Sequence, residues 1–122
     1  TDLYEFISLV LKEKNLKEGR YEFTFCDNQM IQEIHKTHMN LDTPTDIITF
    51  NLGTPQVPDG DIYISVEEAK KNATEYNNSF EEEIKLLVIH GILHLMDYRD
   101  GTAKERKVME SEQNRLLEKL SQ

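Results

Sequence analysis

The chain has a single cysteine, Cys26. No intramolecular disulfide can form, which suits a reducing compartment. Positive charge is also scarce. Lys and Arg total 14 against 23 Asp and Glu, a formal net charge of −9. Such a chain does not bind phosphate backbones or anionic membranes indiscriminately, so any contact with nucleic acid needs a local basic patch or a metal. The apolar run Ile84–Met96 is too short to cross a bilayer, and no stretch reads as a secretory signal. A cytoplasmic protein without a membrane role is expected. Repeats, low-complexity segments and internal boundaries are missing too, so residues 1–122 are expected to form one domain. What remains, 38% hydrophobic and 30% charged residues, is the composition of a globular chain.

The elements follow from periodicity. Leu3, Phe6, Ile7, Val10 and Leu11 recur at helical spacing and predict a helix over 2–14. Tyr21–Phe25 alternates apolar and polar, the pattern of a half-buried strand. Asp27 or Asn28 can cap a second helix through Met30, Ile31 and Ile34 to about His38. A loop is expected over Met39–Pro44. Strands are expected over Asp46–Phe50 and Asp61–Ser65, joined by an exposed loop that holds Pro55 and Pro58. Three capping boxes then mark helix starts: Ser65 with Glu68, Ser79 with Glu82, and Thr102 with Glu105. Strands early and helices late predict an α+β fold, a small mixed sheet packed against several helices. The strand order is not readable.

The stretch His90-Gly-Ile-Leu-His94 through Asp100 organises the rest. Residues four apart on a helix lie one turn apart and about 40° around its axis, so both imidazoles point to one side. Ile84–Ile89 and Ile92-Leu93 are apolar nearly all round, which predicts a buried helix. Buried imidazoles need partners for a donor and an acceptor. A divalent metal supplies one, with Asp100 as third ligand from the turn after the helix. The alternative reading is an ordinary hydrogen-bonded histidine pair, with Asp100 shaping the turn or capping near Thr102. The spacing H-x3-H-x5-D is close to that of metzincin proteases, and three protein ligands leave a fourth position open, as in catalytic zinc sites. Those proteases carry a glutamate base directly after the first histidine. Here that residue is Gly91, which offers no proton acceptor.

Three motifs in chain order carry a resemblance. His90, Gly91, Leu93, His94, Leu95 and Tyr98 match the pattern H-G-x-L-H-L-x-G-Y-D-H; Asp42–Phe50 is similar to D-x-P-T-D-V-L-S-F; Gly60–Ser65 is similar to G-D-I-x-I-S. Together they resemble the YbeY family of metal-dependent endoribonucleases. The resemblance implies hydrolysis of single-stranded RNA in maturation of small-subunit ribosomal RNA and in ribosome quality control. It implies one divalent ion, expected to be Zn2+, held by His90, His94 and Asp100. Partners would be RNA and the small ribosomal subunit.

The chain departs from the pattern at four places. Asp100 stands where the family has a third histidine, a harder ligand that makes harder metals more competitive. Asp97 replaces the turn glycine, and Arg99 replaces an aspartate. Met39 falls where the family carries a loop arginine. Arg99 is therefore a catalytic candidate, set to place positive charge near a phosphate, or else a solvated turn residue. Asp97 is a candidate base or ligand-orienting group, or only a turn former. Asp46 and Asp61 either orient ligands or close turns. Tyr98 and Cys26 are expected to pack, and His35 and His38 to face solvent. Two alternatives stand beside the nuclease: a ribosome-associated factor with a non-catalytic metal, and a different zinc metallohydrolase, with a protease disfavoured by Gly91.

Overall fold

Eight elements follow one another along residues 2–39 and 45–121, the part of the chain that this computed structural model describes. They are α1 (Leu3–Glu13), β1 (Arg20–Cys26), α2 (Asn28–Met39), β2 (Ile47–Asn51), β3 (Asp59–Ser65), α3 (Val66–Glu75), α4 (Phe80–Leu95) and α5 (Ala103–Leu120). The α+β class and the small mixed sheet agree with expectation. Most of the loop expected over Met39–Pro44, residues 40–44, lies outside the described residues, as does the side chain of Met39.

The sheet has the order β1-β3-β2. β1 runs parallel to β3 and β2 antiparallel to it, in a register that sets Phe23 beside Ile62 and Ile47 beside Ile64. Side chains alternate across a strand, and here both faces are used. Ile62 and Ile64 join Phe6, Val10, Val88 and Leu93 in the larger core, while Ile48 and Cys26 meet Ile31 of α2 in a smaller one. α2 therefore covers one face of the sheet and α4 the other. Each fully buried aliphatic side chain in these cores contributes roughly 1.5–3 kcal/mol relative to exposure.

α4 is apolar nearly all round because it touches neighbours on most sides: α1, α3, α5 and β2. Gly91 is where it meets the sheet. A Cβ there would stand 3.2 Å from both Ile47 Cδ1 and Ile62 Cγ2, so the glycine permits close packing of helix on sheet. A glutamate at this position, as in a protease, would be driven into the core. Near the end of the helix, Leu95 packs on Gly60, where a Cβ would meet Leu95 Cδ1 at 2.5 Å.

The helix starts are capped. Asp27 Oδ1 accepts from Met30 N, and the Ser79–Glu82 and Thr102–Glu105 boxes are reciprocal. The expected box at Ser65 is only half formed. Ser65 Oγ accepts from Glu68 N, but the Ser65 N–H donates to Asp46 O, and Glu68 Oε1 accepts from Asn28 Nδ2. The strand ends where the helix begins, so the residue just before β2 takes the donor that a box needs.

Candidate metal centre

α4 brings His90 and His94 to one side, with Nε2 atoms 2.9 Å apart. The helix then stops in a turn fixed by two bonds: Asp97 N donates to His94 O, and Tyr98 N donates to Leu93 O. This is a Schellman arrangement, and its left-handed position (φ 72°) is held by Asp97. The turn carries Asp100 back to the helix. Asp100 Oδ2 lies 3.3 Å from His94 Nε2 and 3.8 Å from His90 Nε2. Bonds of 2.0–2.1 Å to a tetrahedral zinc put ligand atoms about 3.3 Å apart. The three separations bracket that value, so this donor set fits one ion. It is also a chemically suitable set: two imidazole nitrogens and a carboxylate oxygen.

The imidazoles are not in the dry interior that the apolar helix suggested. Their side chains are 24% and 26% exposed, and that of Asp100 is 48% exposed. The helix is buried, but its histidine face opens onto a cavity of about 350 Å³ shared with His35, Asp46 and Thr49. A substrate can therefore reach the ligand atoms. Burial pushes the His90 pKa below its ordinary value and the neighbouring His94 adds to this, against the opposing pull of Asp46 and Asp100. Neutral imidazole, the form that binds metal, is favoured.

Two contacts fix His90 and the turn that carries Asp100. Gln113 Nε2 on α5 lies 2.5 Å from His90 Nδ1. A histidine that gives Nε2 to a metal carries its proton on Nδ1, so the Gln113 amide then presents its oxygen instead; O and N of an amide exchange by a flip. The turn is tied down by Tyr98, whose hydroxyl accepts from Lys14 Nζ at 2.9 Å, while Lys14 also pairs with Glu112 of α5. Thr102, not Asp100, caps α5, and Arg106 donates to the Asp100 backbone carbonyl.

Other expected residues are placed as follows. Arg99 and Asp97 are exposed, face each other at 3.6 Å, and line a separate hollow with Lys104 and Val108. They are not brought to the triad. Asp46 borders the cavity beside His90 and His94 and accepts from Asn72 Nδ2. Asp61 pairs with Arg20 across β1 and β3, beside Asp59. His38 packs its ring edge-on against Phe50 at 5.3 Å. Cys26 is buried, and burial, then Asp27, pushes its thiol pKa up.

Sequence reasoning missed two residues. His35 lines the cavity beside His90 and His94 rather than facing solvent; it lies one helical turn from the buried Ile31, a signal present in the sequence. Gln113 gave no signal, because its partner is 23 residues away on another helix.

A family model described as endoribonuclease YbeY matches residues 2–121. The chain belongs to the YbeY family. Curated YbeY endoribonucleases from Flavobacterium psychrophilum and Treponema denticola are 36% and 39% identical to it. The first match covers 96% of this chain and 84% of the relative, the second 82% and 71%. A solution structure from Thermotoga maritima superposes with a TM-score of 0.74 at 33% identity, covering 97% of this chain and 78% of that one. The YbeY-family fold thus extends over nearly the whole chain, and the His90–His94–Asp100 group sits within the matched residues. Among the described residues, no helix is long and apolar enough to cross a membrane.

Proposed function

We propose that this protein is a metal-dependent endoribonuclease that cuts single-stranded RNA during maturation of small-subunit ribosomal RNA and in ribosome quality control, in the cytoplasm. The observation that carries the reading is the convergence of His90 Nε2, His94 Nε2 and Asp100 Oδ2 at an open cavity. These three would hold one divalent ion, with Zn2+ favoured by the two imidazoles. A bound ion lowers the pKa of water and offsets charge on a phosphoryl oxygen. The protein's own groups do the rest. Gln113 orients His90, and Lys14 anchors the turn through Tyr98. Gly91 leaves no carboxylate to serve as a protease base. Arg99, exposed on the turn that carries Asp100, is assigned to the RNA backbone, and Asp97 to the turn itself. An unpaired strand can bend into the cavity, whereas a duplex holds its backbone in fixed A-form.

The net charge of −9 repels free RNA, so efficient action calls for the small ribosomal subunit to hold the substrate. One observation favours a second reading, a ribosome-associated metal protein without catalysis: Met39 stands at the position of the family arginine. Labelled single-stranded RNA, alone and on small subunits, decides between them. Cleavage by the wild type that stops with chelator and with His94→Ala supports the nuclease. Metal binding without cleavage of either substrate supports the second reading.

A further inference from the structure

A second cavity, of about 580 Å³, adjoins the metal site, and His90 and Asp46 border both. α3, α4 and α5 form its walls. Its chemistry differs from that of the metal cavity. Asp46, Glu83 and Glu110 contribute carboxylates, and among the described residues lining it there is no Lys or Arg. A phosphate group is therefore disfavoured here, and the lining suits an occupant rich in hydrogen-bond donors. Leu86 and Leu87 supply apolar surface for a flat ring, and Tyr76, largely exposed, stands at the rim as a stacking surface.

The polar groups divide into used and unused. Asn72 and Asn78 hydrogen-bond the buried Glu83, and Asn72 also reaches Asp46. Gln113 is taken by His90. Glu110 and Asn114, one turn apart on α5 and both exposed at the cavity's edge, have no hydrogen-bond partner among the described residues. They offer two adjacent acceptor oxygens beside an amide donor on the same helix face. The complementary edge carries two adjacent N–H groups next to a carbonyl. Guanine has it, in N1–H, the N2 amino group and O6. Adenine and cytosine place a ring acceptor beside their amino group, which a carboxylate repels. Uracil has a single N–H between two carbonyls.

Resting on the nuclease reading above, we propose that this cavity is a guanine-binding subsite, holding the base of the nucleotide whose phosphate lies at the His90–His94–Asp100 triad. The Glu110 carboxylate accepts from N1–H and N2, and the Asn114 amide donates to O6. A base turned out of a single strand is read on its Watson–Crick edge in this way.

The test has two arms. In the first, side-chain amide signals of Asn72, Gln113 and Asn114 are followed by nuclear magnetic resonance while metal-free protein is titrated with guanosine, cytidine or uridine monophosphate. Guanosine monophosphate alone should shift them, and Glu110→Gln should weaken that binding about tenfold, the scale of one bidentate pair. Equal shifts with all three nucleotides, or none, overturn the proposal. In the second, metal-loaded protein is given an oligouridylate carrying a single guanosine, and cleavage should concentrate beside it. Even, chelator-sensitive cutting along the strand overturns the subsite while the nuclease reading stands. Selective guanosine binding with no cleavage of any strand upholds the subsite as a guanine site and overturns the nuclease reading.

Discussion

The Gln113 amide on α5 meets Nδ1 of His90 on α4 at 2.5 Å, although the two residues are 23 apart in sequence. A metal-bound imidazole needs a partner on its second nitrogen to fix tautomer and ring orientation, and losing such a partner typically weakens metal binding 10–100-fold. Gln113→Leu should therefore weaken metal binding by about tenfold or more while leaving the fold intact. Gln113→Glu keeps an acceptor and should retain binding. Isothermal titration with zinc measures both. Equal affinity in Gln113→Leu and wild type would mean that the contact does not orient the ligand.

Asp97 ends α4 in the left-handed region, at φ 72°. A non-glycine residue there is strained by roughly 1 kcal/mol. Asp97→Gly should raise stability by about 1 kcal/mol, seen as a higher denaturant midpoint. Metal affinity should be unchanged, because the Asp97 side chain points toward Arg99 rather than the triad. A large fall in activity with normal metal content would give Asp97 a part in the chemistry after all.

Local features of the fold were legible in the sequence. Alternation exposed β1, the four-residue spacing of His90 and His94 put them on one face, and Ser79 and Thr102 cap where the boxes predicted. What depended on distant pairing was not. β1 lies beside β3 rather than β2, and no local pattern encodes that choice. The half-formed box at Ser65 arises because the Asp46 carbonyl, just before β2, takes its N–H. The dry setting inferred for the histidines followed from the apolar character of α4, yet one face of a buried helix can still open at a cavity. Gln113 reaches His90 only through the packing of α5 on α4, which no local pattern encodes.

Lys14, Glu112 and Arg115 link α1 to α5 and, through Tyr98, to the turn that carries Asp100. Burial alone would lower the Lys14 pKa, but its hydrogen bonds to Glu112 and Tyr98 outweigh this and raise it. Arg115, then Lys14, pull the Glu112 pKa from 4.5 to about 2 against the effect of burial. A carboxylate depressed in the fold stabilises it above the unfolded pKa, and that contribution is lost as pH falls through the folded value. Stability should thus decline from pH 4.5 toward about 2. The shift sets a ceiling of about 3 kcal/mol, and partial exposure reduces it to about 2 kcal/mol. Glu112→Gln should lose that amount at neutral pH and show a flatter acid limb in chemical denaturation. An unchanged acid limb would remove Glu112 as its source.

Asp100 supplies the only oxygen among the three converging donor atoms, at 3.3 and 3.8 Å from the two imidazole nitrogens. Its side chain is half exposed, and Thr102 does the capping, so the carboxylate is free to bind an ion. Asp100→Ala should leave two protein ligands and lower zinc affinity by at least tenfold, with little change in melting temperature for the metal-free protein. Asp100→His should restore zinc binding and shift preference away from manganese or magnesium, because imidazole is softer than carboxylate. Competition titrations with zinc and manganese on wild type and both variants read this directly. If Asp100→Ala lowers only the melting temperature and keeps full zinc affinity, Asp100 is a turn residue and the ion is held by His90 and His94 with some other donor.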